Sequence, residues 1–276
     1  RSTLISFRNY TKAAFKRLLC YNYRMMAALI FALGLSVGSF LNVLVYRLPR
    51  GEGFVHGRSR CPSCGHVLGW KDLFPLASFL FLKGKCRFCA KKISWRYFSI
   101  ELLTGLTFLV FFLVAKPDGF LAFWPFSLWL AVICLLIVLF FIDFEYFIIP
   151  DKILVVAGLL ALSLQLANRS ISPLFNSFLT AIISGLIFFL IFIGTGKEKM
   201  GFGDVKFIAL LGFVFGFPGI VPVFYLAVAG ALVWSVVILL FFGGKLTTRL
   251  PFGSLLAGSA IVFILFNKFL FPILMP

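Results

Sequence analysis

Leu130-Ala131-Val132-Ile133-Cys134-Leu135-Leu136-Ile137-Val138-Leu139-Phe140-Phe141-Ile142 closes on Asp143, and this stretch decides what kind of fold the chain can adopt. The apolar run begins at Leu121, long enough for a helix to cross a hydrocarbon core of roughly 30 Å. Working outward from it, runs of the same character predict spans near 26–46, 98–115, 120–142, 152–167, 173–194, 205–219, 221–242 and 252–274. The expected fold is an all-α polytopic membrane protein with about eight transmembrane helices. Composition agrees: of 276 residues, 62% are hydrophobic, 38 are phenylalanine and 13% are charged, which excludes an ordinary soluble domain.

Lysine and arginine set the expected orientation, because short basic loops stay on the cytoplasmic side. The segment 47–100 carries eleven of them against Glu52 and Asp72, so it is expected to be cytoplasmic. Threading the spans from that anchor puts Asp143 to Lys152, Gly196 to Lys206 and Gly243 to Pro251 on the same face. The basic stretch 1–24 falls on the opposite side and breaks the rule. Two readings account for it: an extension upstream of a natural start at Met25 or Met26, or a basic interfacial segment. The net charge of +17 suits anionic lipid, and no nucleic-acid partner is expected.

Within the basic loop, Cys61-Pro62-Ser63-Cys64 and Cys86-Arg87-Phe88-Cys89 form two C-x-x-C knuckles. Four thiolates at this spacing surround one zinc ion tetrahedrally and leave no open position for water, which predicts a structural site folding a small ribbon-like domain. Disulfides or a redox pair are the alternative, disfavoured in a reducing compartment. His66 is expected to be solvated rather than a ligand, and Cys20 and Cys134 to be inert.

Asp143 has a counterpart in Met200-Gly201-Phe202-Gly203-Asp204-Val205-Lys206, an acid between glycines at the mouth of another apolar run. Acids at a membrane edge are costly and mark function. Two carboxylates sharing a proton can hydrolyse a peptide bond, one activating water while the other protonates the amide. Gly201 and Gly203 would let the backbone approach an extended strand, and Lys206 would orient the loop or meet a lipid phosphate. Asp151, after Pro150, reads as a helix N-cap, a role open to Asp204 as well. On residue chemistry alone, a protease and a proton-relaying transporter or channel both stay open.

These motifs together resemble the type IV prepilin peptidases. The likeness runs from Gly38-Ser39-Phe40-Leu41-Asn42-Val43 and Tyr46-Arg47-Leu48-Pro49-Arg50 through the paired knuckles and Arg96-Tyr97 before Glu101-Leu102. It continues in Ile142-Asp143 before Ile149-Pro150-Asp151 and ends in Gly201-Phe202-Gly203-Asp204. The resemblance implies an aspartic G-x-G-D protease with Asp143 and Asp204 as the catalytic pair and Asp151 as second choice. It implies cleavage of prepilins and type II secretion pseudopilins after the glycine ending a basic leader, at the cytoplasmic face of the bacterial inner membrane. It also implies N-methylation of the new terminus from S-adenosylmethionine.

No G-x-G-x-x-G turn is present, so a Rossmann-type cofactor site is not expected. The resemblance points the methyl-transfer function to the 47–100 loop, with Gly84 and Asp72 as candidates for cofactor binding. Gly38 and Ser39 are expected to pack helices. The expected organisation is a basic extension over 1–24, an N-terminal region over 25–115 holding the zinc loop, and a peptidase region over 116–276.

Overall fold

In the computed structural model the chain is described over residues 2–53, 57–117, 120–167, 171–195, 200–241 and 250–270, with side chains described from Tyr23 onward except at 120–122, 167, 171, 195 and 268–270. Eight helices appear among these residues: α1 (Ser2–Arg47), the short α2 (Ala77–Phe81), α3 (Trp95–Ala115), α4 (Phe120–Tyr146), α5 (Asp151–Ala167), α6 (Ile171–Thr195), α7 (Phe202–Phe241) and α8 (Phe252–Leu270). The described strand pairing is limited to single bridges, Arg60 with Val67 and Lys85 with Lys92. The expectations for 1–24 fall mostly on side chains outside the described residues, as does Cys20; the backbone there continues α1.

Among the described residues, five helical stretches are long and apolar enough to cross a membrane: Tyr23–Arg50, Trp95–Ala115, Phe123–Tyr146, Ser172–Gly194 and Phe202–Phe241. The expected count of eight is therefore not reached by this measure. α5 has 17 residues, and the expected sixth and seventh spans form one 40-residue element. That element is broken at Gly216 (φ 59°, ψ −177°) and Phe217. Only glycine adopts that backbone readily, and a side chain there would also meet Ser177 Oγ at 3.3 Å. Beyond the break the chain returns: Phe224 packs on Phe188 and Trp234 on Phe144.

A break inside lipid is tolerated only when the freed carbonyls find donors. Asn176 Nδ2 donates to Phe217 O at 2.6 Å and Gln165 Nε2 to Phe213 O at 3.3 Å. Small residues bring the helices together. A Cβ on Gly34 would lie 2.9 Å from Gly105 Cα, and one on Gly38 2.8 Å from Glu101 Cα, so α1 and α3 touch backbone to backbone. Gly212 does the same for α6 and α7, where a Cβ would lie 3.0 Å from Thr180 O.

One end of the bundle gathers the charged groups. Arg96 Nη1 of α3 pairs with Glu145 of α4 at 2.6 Å, and Arg50, just past α1, donates to the Tyr146 hydroxyl at 3.2 Å. The starts of α5, α7 and α8 lie at this same end, beside the last turn of α4.

Candidate functional site

Asp143 lies one turn before the end of α4 and is 5% exposed. A helix C-terminus is the wrong place for a negative charge, because the last carbonyls present the negative pole of the dipole. The structure compensates with a second helix. The backbone N–H of Ser254, in the first turn of α8, donates to Asp143 Oδ2 at 2.6 Å, so the positive pole of α8 faces the carboxylate. Gly253 makes this possible: a Cβ there would lie 3.0 Å from Asp143 Cγ and 2.8 Å from Ile149 Cδ1. Ser254 Oγ turns back to Pro251 O at 2.7 Å, fixing the start of α8.

Asp204 is half-buried in the first turn of α7, which starts at Phe202 rather than near Val205. The helix begins early because Gly201 turns the chain, its carbonyl accepting from Asp204 N at 3.1 Å. Asp204 is therefore inside the first turn and does not occupy the cap position. Its carboxylate is close enough to Asp143 for the two charges to act on each other. Beside them sits Ile149, whose Cβ lies 3.1 Å from where Gly203 would carry a side chain. Gly203 and Gly253 thus clasp one isoleucine from both sides, and this holds α4, α7 and α8 in register around the two acids.

Asp151 is placed differently. Its carboxylate takes the ammonium of Lys206 on both oxygens, at 2.8 and 2.9 Å, with 67% of its side chain exposed. The first turn of α5 is instead closed by Pro150 O, which accepts from Ile153 N at 3.0 Å. Lys206 also lies 5.2 Å from the Phe202 ring. Asp143 and Asp204 are brought together; Asp151 and Lys206 form a separate surface pair that ties α5 to α7.

The four-thiol module lies between α1 and α3. The two knuckles repeat one backbone pattern: Cys61 N donates to His66 O and Gly65 N to Cys61 O, while Cys86 N donates to Lys91 O and Ala90 N to Cys86 O, each at 2.9 Å. Both turns need a positive φ, supplied by Gly65 (69°) and Ala90 (55°). Cys61, Cys64, Cys86 and Cys89 are free thiols, and their sulfurs all lie within 4.8 Å of one another. A tetrahedral zinc ion with bonds of about 2.3 Å needs sulfurs just under 4 Å apart, so this donor set fits a structural metal. The N–H groups of Cys89 and Phe88 directed at the Cys86 sulfur lower its thiol to about 7, while Cys64 in the same cluster is pushed up to about 11, so the four sulfurs share charge unevenly. His66 packs at a tilt of 32° on Phe88 across the two knuckles, centroids 3.5 Å apart.

Asp72 spans the module, accepting from Gly69 N at 3.1 Å and pairing with Arg87 Nε at 2.8 Å. Gly84 has φ 66°, and a Cβ there would stand 3.1 Å from the Phe79 ring. Sequence reasoning missed Gly253, Ser254 and the joint role of Ile149. Pro251-Phe252-Gly253-Ser254 did carry a signal, a proline followed by small residues at a helix mouth facing the same way as Asp204.

These features define a helical membrane protein with two neighbouring acids at one end and a four-thiol module beside them. Residues 32–115 match the bacterial peptidase A24 N-terminal domain, and residues 130–236 match the type IV leader peptidase family. A prepilin leader peptidase/N-methyltransferase of Bacillus subtilis is 32% identical over 88% of this chain and 95% of its own length. The Myxococcus xanthus protein of that name is 39% identical over 68% of this chain, a stretch spanning 56% of its own length. A type 4 prepilin-like proteins leader peptide-processing enzyme of Escherichia coli is 35% identical over 83% of this chain and 89% of its own. No solved structure matches the chain. The chain belongs to the type IV leader peptidase family.

Proposed function

We propose that this chain is a membrane endopeptidase that removes the basic leader of type IV prepilins and pseudopilins after glycine and then N-methylates the exposed terminus. The observation that carries the first half is the meeting of Asp143 and Asp204 at the ends of α4 and α7, with α8 directed at Asp143. One carboxylate takes a proton from water as its oxygen attacks the scissile carbonyl; the other gives a proton to the departing amide nitrogen. Neighbouring like charges favour one shared proton, so acid and base are available together and either residue can take either role. Gly201 and Gly203 leave room for the unwound Gly-Phe bond, and the Lys206 to Asp151 pair steadies the loop.

The basic 47–100 segment supports placing this end of the bundle at the cytoplasmic face of the inner membrane. The free thiols support a structural zinc ion on Cys61, Cys64, Cys86 and Cys89. S-adenosylmethionine supplies an electrophilic methyl group in the second reaction. Between the knuckles, α2 lies against the first turns of α3: Phe79 meets Trp95 and Phe98, while Leu80 and Phe81 are exposed. Next to a helix entering the bilayer, with Lys83 and Lys85 following, this connector suits the lipid headgroup layer. A transporter would relay protons across the bilayer, and both acids sit at one end.

The test is incubation of the purified full chain with a prepilin, with and without S-adenosylmethionine, followed by mass measurement. Separate leader and mature pilin are expected, the latter gaining about 14 Da, one CH₂, only with the donor. An intact prepilin overturns the peptidase reading.

A further inference from the structure

A second reaction needs a second site, and its substrate is chemically simple: a peptide α-amino group newly exposed at the membrane surface. Among the described acids, Asp143 and Asp204 lie near each other, Glu145 pairs with Arg96, Asp151 with Lys206 and Asp72 with Arg87, while Glu52 is exposed in the loop after α1. Glu101 differs. It lies inside the membrane-crossing helix α3, and among the described residues no cation pairs with it. An ionisable group so placed marks function unless its charge is met.

A neutral donor holds its carboxylate: the backbone N–H of Leu76 donates to Oε2 at 2.9 Å, and the Ser39 side chain of α1 lies beside it. Asn42, one turn after Ser39 on α1, is 3% exposed. Its amide nitrogen donates to Gly38 O at 3.4 Å and to Tyr97 O, one turn before Glu101, at 3.1 Å. With its nitrogen so fixed, the side-chain oxygen Oδ1 is left buried without a partner. A buried acceptor in that state is destabilising unless a donor arrives. The contact between α1 and α3 therefore carries a carboxylate and, one turn away along α3, an orphaned acceptor, both suited to an ammonium or amine.

Depth favours the same substrate terminus. Arg96 and Glu145 pin α3 and α4 at one level. Along the helices Asp143 lies about 3 Å below that level and Glu101 about 7.5 Å, at 1.5 Å per residue. The two sites differ by less than one helical turn, and α3 also touches α4 and α8. A terminus released at the acid pair would move sideways without crossing more of the membrane.

We propose that Glu101, with Ser39 and Asn42 around it, is the amine-binding site for N-methylation, taking the new α-amino group of the processed pilin. This rests on the reading of the chain as a peptidase that also methylates. An α-amino group is mostly protonated at neutral pH. Glu101 accepts one proton from the ammonium. The freed nitrogen lone pair then forms the new C–N bond as the methyl carbon leaves a sulfonium donor, the C–S electron pair staying on sulfur. The positive charge ends on the N-methylammonium, and Glu101 returns its proton to water.

The experiment uses the full chain in lipid nanodiscs with two substrates, a prepilin and an already mature pilin. Glu101→Gln is expected to cleave prepilin at the wild-type rate and to lose methylation of mature pilin by about 100-fold or more. Glu101→Asp should restore part of it. A second measurement needs no variant and no methyl donor: wild-type protein should bind mature pilin at least about tenfold more tightly than its Nα-acetylated form. Methylation by Glu101→Gln within about threefold of wild type, or equal binding of free and acetylated termini, overturns the site. Wild-type protein that cleaves but never methylates overturns the parent reading, and the site falls with it.

Discussion

Asp143 would be poorly placed if α4 stood alone, since its charge meets the negative pole of its own helix. The Ser254 N–H and the missing Cβ of Gly253 reverse that, and Gly253→Ala is the smallest change that disturbs it. The added methyl must push the Asp143 carboxylate or Ile149 aside. Cleavage kcat is expected to fall roughly ten- to a hundredfold with KM little altered, because misplacing a reacting group by a fraction of an ångström affects the transition state more than binding. Steady-state kinetics on a prepilin checks this. Asp143→Asn and Asp204→Asn should each lower cleavage on the order of 10³-fold or more while leaving expression and membrane insertion intact. Near-normal cleavage by either variant would remove that residue from the proposed pair.

At the scale of elements, the knuckle module and α3 depend on contacts of different kinds. The module buries little apolar side chain beyond Phe79 and the thiols Cys61 and Cys86, too small a core to fold unaided. Elemental analysis is expected to find about one zinc per chain. Cys61→Ser with Cys64→Ser should lose the metal and with it most methylation, while prepilin cleavage stays within a few-fold of wild type. Metal-free protein that methylates fully would refute this. The Arg96 to Glu145 pair joins α3 to α4 with side-chain exposures of 12% and 30%. Arg96→Glu should destabilise the bundle by about 2 kcal/mol, and Glu145→Arg in the same chain should recover much of it. Thermal unfolding in detergent provides the readout.

Across the whole molecule, the proposed 25–115 and 116–276 regions share one end of the bundle through Arg96, Arg50 and the neighbouring tyrosines. How much of this was legible varies with the range of the interaction. Apolar run length is a local property, and α3, α4 and α6 fall where the runs predicted them, while α1 extends upstream of its run to Ser2. Within α7 the expected boundary between the spans 205–219 and 221–242 falls a few residues past the break at Gly216 and Phe217, because the backbone turns at the glycine and not at the end of the apolar run. The knuckles were legible because ligand spacing within a short loop fixes their geometry. Asp151 was misread as a cap, since nothing in its neighbours reveals that Lys206 waits 55 positions away.

The amino-acid sequence by itself determined the membrane class, the four-thiol module and the short roster of acids from which any chemistry must be drawn. Each of these follows from residues close in the chain, whose polarity and spacing act locally. Only the tertiary structure decided which acids meet. It set Asp143 against Asp204 and the start of α8, gave Asp151 to Lys206, and left Glu101 beside a neutral donor. The physical reason is that such pairings depend on which small residues let which helices approach, and glycine contacts such as those of Gly38, Gly203 and Gly253 exist only once the helices have packed.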